Sequence, residues 1–298
     1  MTSALRATEL GKRYGRKWAL SACTLDIPTG HVVGLVGPNG AGKTTLLHLA
    51  VGLLTPTSGS INVLDEVPAT SAEQLGRIGF VAQDTPVYEG LSIATHLQMG
   101  AALNPNWDSQ LAERRVNDLG LDPNQRAGRL SGGQRAQLAL TLAIAKRPSL
   151  LLLDEPVASL DPLARREFLA TLMEVVAEHE VTVILSSHLV ADLERVCDYL
   201  VVLAAAQVQV NGEIDDLLAS HHRLVANRRE LDNLPASAHV IEVSHTDRQT
   251  TVVVQSDDPI LDPSWSVDAL TLEDLVLAYM AQAEELRRDL VRTKAGER

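Results

Sequence analysis

Cysteine is nearly missing from this chain: Cys23 and Cys197 are the only two among 298 residues. Two cysteines without metal-ligand spacing exclude a disulfide framework, and both read as reduced, small core residues. Long apolar runs are missing as well. "SLLLL" at 149–153 and "YLVVLAAA" at 199–206 fall short of the ~18 to 20 residues that a membrane span needs. The opening "MTSALRATELGKRYG" lacks the apolar core of a signal peptide, so a cytosolic chain is expected. There is no excess of basic charge either. With 26 Lys and Arg against 38 Asp and Glu, the net charge is −12, which argues against nucleic acid as the main partner. Internal repeats and low-complexity tracts are absent, and "RRDLVRTKAGER" at 287–298 reads as a solvated helix end.

What is present is a core-forming composition, 45% hydrophobic and 21% charged, of a length that suits about one to two domains. Between residues 30 and 215, the runs "HVVGLVG", "RIGFVAQ", "SLLLLDE", "VTVILSS" and "YLVVLAA" alternate with helical patterns. Unbroken apolar strands separated by helices predict an α/β fold with a mainly parallel sheet covered on both faces. The looser alternation over 5–30 predicts antiparallel strands at the edge of that sheet, and residues 88–146 show helical spacing alone, predicting a helical insert. Beyond about 215 the pattern changes to a helix over "GEIDDLLASHH", a strand pair over "HVIEVSHTDRQTTVVVQ" and an amphipathic tail from Leu270. The expected division is therefore 1–220 and a small α+β appendage over 221–298.

Gly37 to Thr44, "GPNGAGKT", fits GxxxxGK[ST] directly after the strand "VVGLV" and before the helix "KTTLLHLAVGL", the context in which this loop binds phosphate. Gly37, Pro38, Asn39, Gly40, Ala41 and Gly42 form the loop, each except Pro38 offering a backbone N–H. The helix start favours negative charge, Lys43 reaches the β and γ phosphates, and the Thr44 hydroxyl suits Mg²⁺. In "SLLLLDEP", Asp154 and Glu155 emerge at the C-terminal end of a buried strand, where open α/β sheets bind ligands. Asp154 is placed for Mg²⁺, directly or through water, and Glu155 for accepting a proton from attacking water.

"LSGGQRAQLAL" at 130–140 is the second glycine-bearing helix start. Ser131 and Gln134 make a capping box, which leaves Gly132 and Gly133 unexplained, because each costs a helix about 1 kcal/mol relative to Ala. Bare backbone at a helix start favours a closely approaching anion. One loop already wraps the nucleotide, so a second is most useful on the γ-phosphate of a nucleotide held by another copy. Asp161 before Pro162 reads as an N-cap with Pro in the first turn.

"GPNGAGKTT", Gln83 in "FVAQD", "LSGGQ", "LLLLDEP", "ASLDP" and His188 in "ILSSH" occur in the order of the ABC ATPase family, which residues 4 to about 220 resemble. The resemblance implies ATP and Mg²⁺ as ligands, a phosphate loop extending to Thr45, and Ser131, Gly132, Gly133 and Gln134 facing ATP on the opposite subunit of a homodimer. It implies that Gln83 contacts Mg²⁺ and water, that Tyr14 stacks on adenine, that His188 contacts the γ-phosphate and that Asp161 touches the opposing subunit. It further implies a separate membrane permease as partner, with the chain on the inner face of the membrane. The alternative is a soluble ABC ATPase acting on nucleic acid or ribosomes, against which stand the single cassette, the lack of sustained heptads and the lack of cysteine clusters. "LTLEDLVLAYM" at 270–280 resembles the ending of exporter ATPases, so export is the expected direction. One departure is Ala206, where the family commonly has a hairpin glycine; alanine tolerates positive φ poorly, so a different turn is expected there.

Overall fold

The protein is described by a computed structural model covering residues 2–85, 87–228, 231, 234–235 and 237–296, with side chains described to residue 288. The chain opens with a long antiparallel hairpin, β1 (Ser3–Tyr14) and β2 (Lys17–Pro28). There follow β3 (Val32–Val36), α1 (Lys43–Ala50), β4 (Ser58–Val63), α2 (Ala72–Gly76) and β5 (Ile78–Val81). Next come α3 (Ile93–Leu103), α4 (Ser109–Asp118) and α5 (Gly132–Ile144), with no strand of a sheet between residues 88 and 146. The chain re-enters the main sheet at β6 (Leu150–Asp154), followed by α6 (Pro162–His179), β7 (Thr182–Ser187), the short α7 (Val190–Leu193), β8 (Tyr199–Ala204) and β9 (Gln207–Glu213).

The main sheet has the order β5-β6-β7-β3-β8-β9, parallel except for β9, which pairs antiparallel with β8. Alternation across the pleat sorts its side chains into two cores. Leu151, Leu153, Val183 and Leu185 enter one core with α6 residues such as Phe168 and Leu172. Leu150, Leu152 and Ile184 enter the other, with Leu46 and Leu47 of α1 and the inner face of the first hairpin. Every residue of β3, β6, β7 and β8 is buried, which is why these strands read as continuous apolar runs.

After α8 (Ile214–Ser220) come β10 (His221–Asn227), β11 (His239–His245), β12 (Gln249–Gln255), β13 (Ser266–Ala269) and α9 (Leu272–Gly296). The four strands form a sheet in the order β11-β12-β10-β13. From α9, Leu275, Val276 and Tyr279 join the same core as Phe168, so this helix lies against the main body. No helix among the described residues is long and apolar enough to cross a membrane.

Three local expectations are corrected. The strands of residues 5–30 do not sit on the edge of the parallel sheet but form a separate sheet, β2-β1-β4. Its third strand, "SGSINV", exposes its first half and carries no alternation to betray it. The helix over "GEIDDLLASHH" stops at Ser220, because His221 starts β10. That histidine is fully buried, with Nδ1 donating to the Leu217 carbonyl at 2.6 Å and Nε2 accepting from the Tyr279 hydroxyl at 2.9 Å. Finally, the β8–β9 turn keeps a left-handed form without glycine: Ala205 and Ala206 sit at φ 49° and 65°. Two contacts hold it there, as the Ala206 carbonyl accepts from the Ser21 N–H at 2.8 Å and from Cys23 Sγ at 3.4 Å. Cys23 is buried, Cys197 half-buried, and both are free. The helical reading of 287–298 holds as far as residue 296, whereas the side chains of 289–298 lie outside the described residues.

Candidate functional site

The loop between β3 and α1 needs its glycines for geometric reasons. A Cβ on Gly37 would lie 2.0 Å from the Leu203 carbonyl oxygen, and one on Gly42, at φ 113°, would lie 2.4 Å from that of Ala19. Only glycine satisfies both constraints. Gly42 is also the N-cap of α1 and offers no side chain to its first-turn N–H groups, leaving them for an anion.

Above this loop opens a cleft of about 590 Å³. Tyr14, Asn39, Gly40, Gly42, Lys43, Thr44, Thr45, Gln83, Glu155 and His188, all expected from the sequence, line it together. Gly37, Pro38 and Ala41 belong to the same loop without lining the cleft. Lys17, Ala19 and Ala158 also line it and had not been expected. Tyr14 stands at the tip of the first hairpin, half exposed and opposite Lys17, a flat aromatic face suited to a purine.

The chemistry concentrates at the end of β6. Lys43 Nζ donates to the Gly37 carbonyl at 2.8 Å and lies 3.1 Å from Glu155 Oε1. Glu155 Oε2 accepts from His188 Nδ1 at 3.0 Å. Burial raises the Glu155 pKa, but the hydrogen bonds and charges of Lys43 and His188 outweigh it and hold the carboxyl below its ordinary 4.5. Glu155 is therefore an ionised acceptor at neutral pH. Its backbone sits at φ 45°, a strained position for a residue with a side chain.

Ser186, on β7, fixes the acidic pair: its hydroxyl donates to Asp154 Oδ1 at 2.8 Å and accepts the Glu155 N–H at 2.8 Å. The sequence reading missed it, although a serine pair ending an apolar strand beside His188 is the signal that marked it. Asp154 is fully buried, and its Oδ2 has no hydrogen-bond partner among the described residues.

Ser131, Gly132, Gly133, Gln134 and Asp161 stand apart from this cleft. The capping box is closed, with the Ser131 N–H donating to Gln134 Oε1 at 3.0 Å and the Gln134 N–H donating to Ser131 Oγ at 3.2 Å. Gly132 is exposed with space around it, whereas a Cβ on Gly133 would meet that of Ala164 at 3.0 Å. Asp161 caps α6, accepting from the N–H groups of Leu163 and Ala164 at 3.0 Å each.

A family profile described as "ABC transporter" matches residues 20–158. The thiamine import ATP-binding protein ThiQ of Escherichia coli (strain UTI89) is 33% identical over 66% of this chain and 87% of its own length. The chain belongs to the ABC transporter ATP-binding family. ABC ATP-binding domains are ATPases. The sulfate/thiosulfate import protein CysA 1 of Rhizobium meliloti is 36% identical over 72% of this chain, which spans 64% of that relative. The phosphonates import protein PhnC of Thiobacillus denitrificans is 31% identical over 78% of this chain and 95% of its own. Among solved structures, an ATP-binding subunit of an ABC transporter matches with a TM-score of 0.65 and 27% identity over 73% of this chain and 92% of its own. CbiO1 of Clostridium perfringens, part of the transporter complex cbiONQ, matches at 0.63 and 26% over 74% and 92%.

The export direction expected from "LTLEDLVLAYM" finds no support in these relatives, which are named as import subunits. In the structure, the start of that segment is a helix cap: Thr271 Oγ1 accepts the Asp274 N–H at 3.1 Å, and Asp274 Oδ2 accepts the Thr271 N–H at 3.2 Å.

Proposed function

We propose that this chain is the ATP-hydrolysing subunit of an ABC transporter, residues 1–220 performing the chemistry and 221–298 forming an appended domain. Two copies close around two ATP molecules and drive a separate membrane permease. The observation that carries the proposal is the division of the motifs: Lys43, Glu155 and His188 meet in one cleft, while Ser131 to Gln134 stand outside it, capped and, apart from half-buried Gly133, exposed. A loop outside its own chain's cleft is free, in this proposal, to serve another copy's. The relatives named as import ATP-binding subunits and the CbiO1 neighbour from a transporter complex support a permease partner, at which the chain would sit on the inner face of the membrane.

In this proposal Tyr14 stacks on adenine, and the backbone of Gly37–Thr44 wraps the phosphates. Lys43 exchanges its contact with Glu155 for the β and γ phosphates, which frees an ionised carboxylate. Glu155 then takes a proton from water attacking the γ-phosphorus as the bond to ADP breaks. His188 holds the Glu155 carboxylate on one side and borders the γ-phosphate on the other. Thr44, Gln83 and Asp154 fit Mg²⁺, and the buried, unpartnered Oδ2 of Asp154 is the acceptor that a hydrated cation needs. Mg²⁺ would neutralise phosphate charge there.

The test is purification from detergent-solubilised cells together with an ATPase assay. Magnesium-dependent hydrolysis and retention of a multi-span hydrophobic protein are expected. A chain that hydrolyses ATP yet is retained only on nucleic acid or ribosomes would overturn the permease assignment.

A further inference from the structure

We propose that the ion pair between Arg165 and Asp192 holds the His188 loop in register with the Asp161 loop, making Arg165 a positioning residue for ATP hydrolysis. The inference rests on the roles assigned above to His188 and Asp161.

Arg165 lies in the first turn of α6, four residues after Asp161. Its Nη2 donates to the carbonyl of Leu160, the residue just before Asp161, at 3.4 Å. Its Nη1 lies 3.6 Å from Asp192 Oδ2. Asp192 sits on α7, the single turn that begins two residues after His188. One guanidinium thus joins the backbone of one site loop to the helix that ends the other.

Three features make this pair more than a surface contact. The two side chains are 24% and 14% exposed, so solvent screens them less than an open pair. Arg165 Nε and Asp192 Oδ2 have no hydrogen-bond partner among the described residues, so Asp192 Oδ2 rests on its ion pair with Nη1, while Nη2 also holds Leu160. And α7 is a single turn that packs against β7 and α9, to which the Arg165 pair adds a charged tie to α6. Beside Arg165, Ala164 abuts Gly133. The first turn of α6 therefore touches the starts of α5 and α7 together, and the pair carries the second of those contacts.

Arg165 touches no nucleotide-facing atom, so its loss changes the placement of His188 rather than the binding of ATP. Misplacement by about 1 Å costs catalysis on the order of 10- to 100-fold. The full-length protein is assayed as Arg165→Ala, as Asp192→Asn, as the exchanged pair Arg165→Asp with Asp192→Arg, and as His188→Ala. The single changes are expected to lower kcat about tenfold or more while the KM for ATP stays within about twofold. The exchanged pair is expected to recover most of the rate, a rescue that general loss of packing does not produce. Should Arg165→Ala not fold, Arg165→Lys and the exchanged pair give the same reading. An unchanged kcat in Arg165→Ala beside an inactive His188→Ala protein would overturn the positioning role alone, as would a raised KM at unchanged kcat or an exchanged pair no better than its parents. A His188→Ala protein at full rate would overturn the underlying role of His188 instead.

Discussion

The two glycine-bearing helix starts, at Gly42 and at Gly132, differ in what forces their glycines. At the phosphate loop the backbone itself demands them, since Gly42 holds φ 113° and neither it nor Gly37 has room for a Cβ. At the second loop the backbone demands little. Ser131 and Gln134 already satisfy the helix start, Gly133 is explained by Ala164, and Gly132 is explained by nothing in its own chain. A glycine without an internal reason points outward, to something that approaches closely. In the proposed arrangement the first loop is complete within one chain, whereas the second is half of a site.

The largest expected effects fall on the complete loop. Lys43 is 5% exposed, and removing one partner of a buried charge contact costs about 2–5 kcal/mol. Lys43→Ala is expected to weaken ATP binding by about a hundredfold or more in equilibrium titration. Glu155→Gln keeps the shape but loses the proton acceptor, so binding persists while hydrolysis falls by about 10²- to 10⁴-fold. Equal loss of binding in both proteins would contradict the separation of holding from reacting.

Next comes the test of sharing between copies. A mixed dimer of Lys43→Ala and Ser131→Arg chains joins one doubly spoiled site with one intact site. Each parent homodimer has two spoiled sites. Labelled ATP titrated into the verified mixed dimer is expected to fill at most one site per dimer, above either parent. No gain over the parents would return both loops to a single chain.

A smaller effect separates the two signature glycines. Replacing Gly by Ala in a helix is worth about 1 kcal/mol of propensity. Gly132→Ala has room for its methyl group, so its thermal midpoint is expected to hold or rise while ATP-driven dimerisation and hydrolysis fall. Gly133→Ala places a methyl 3.0 Å from Ala164, and is expected to lose stability and activity together. If Gly132→Ala left hydrolysis untouched, the outward reason for that glycine would disappear.

The candidate site was legible from the sequence because its residues are local: Gly37–Thr45, Asp154–Glu155 and His188 each end or begin an element whose apolar pattern is continuous. Long-range pairings were not legible. Ser186 bridging Asp154 and Glu155, or Arg165 meeting Asp192, depends on which strands lie side by side. β10 was hidden because His221 and His222 read as polar, whereas the first is sealed between Leu217 and Tyr279. The export expectation went unsupported for another reason, since a short amphipathic ending mostly encodes a cap and a packed face. The turn at Ala206 shows the same limit from the opposite side: propensity argued for a change of form, and tertiary contacts overrode it.

That turn supplies the reverse of Gly132 and the smallest expected effect. Gly132 is a glycine where the backbone asks for none, and Ala206 is an alanine where φ 65° asks for one. An L-residue in the left-handed region costs about 1–2 kcal/mol. A new glycine gives back part of that, about 0.4–1 kcal/mol, through the freedom of the unfolded chain. Ala206→Gly is therefore expected to raise stability by a net ~0.5–1 kcal/mol, read as a higher denaturation midpoint. Because the residue lies outside the ATP cleft, hydrolysis should stay at the parent rate. A lower midpoint would mean that Ser21 and Cys23 hold the turn tightly enough to make alanine the better residue there. In that case a missing glycine, unlike a surplus one, carries no information about function.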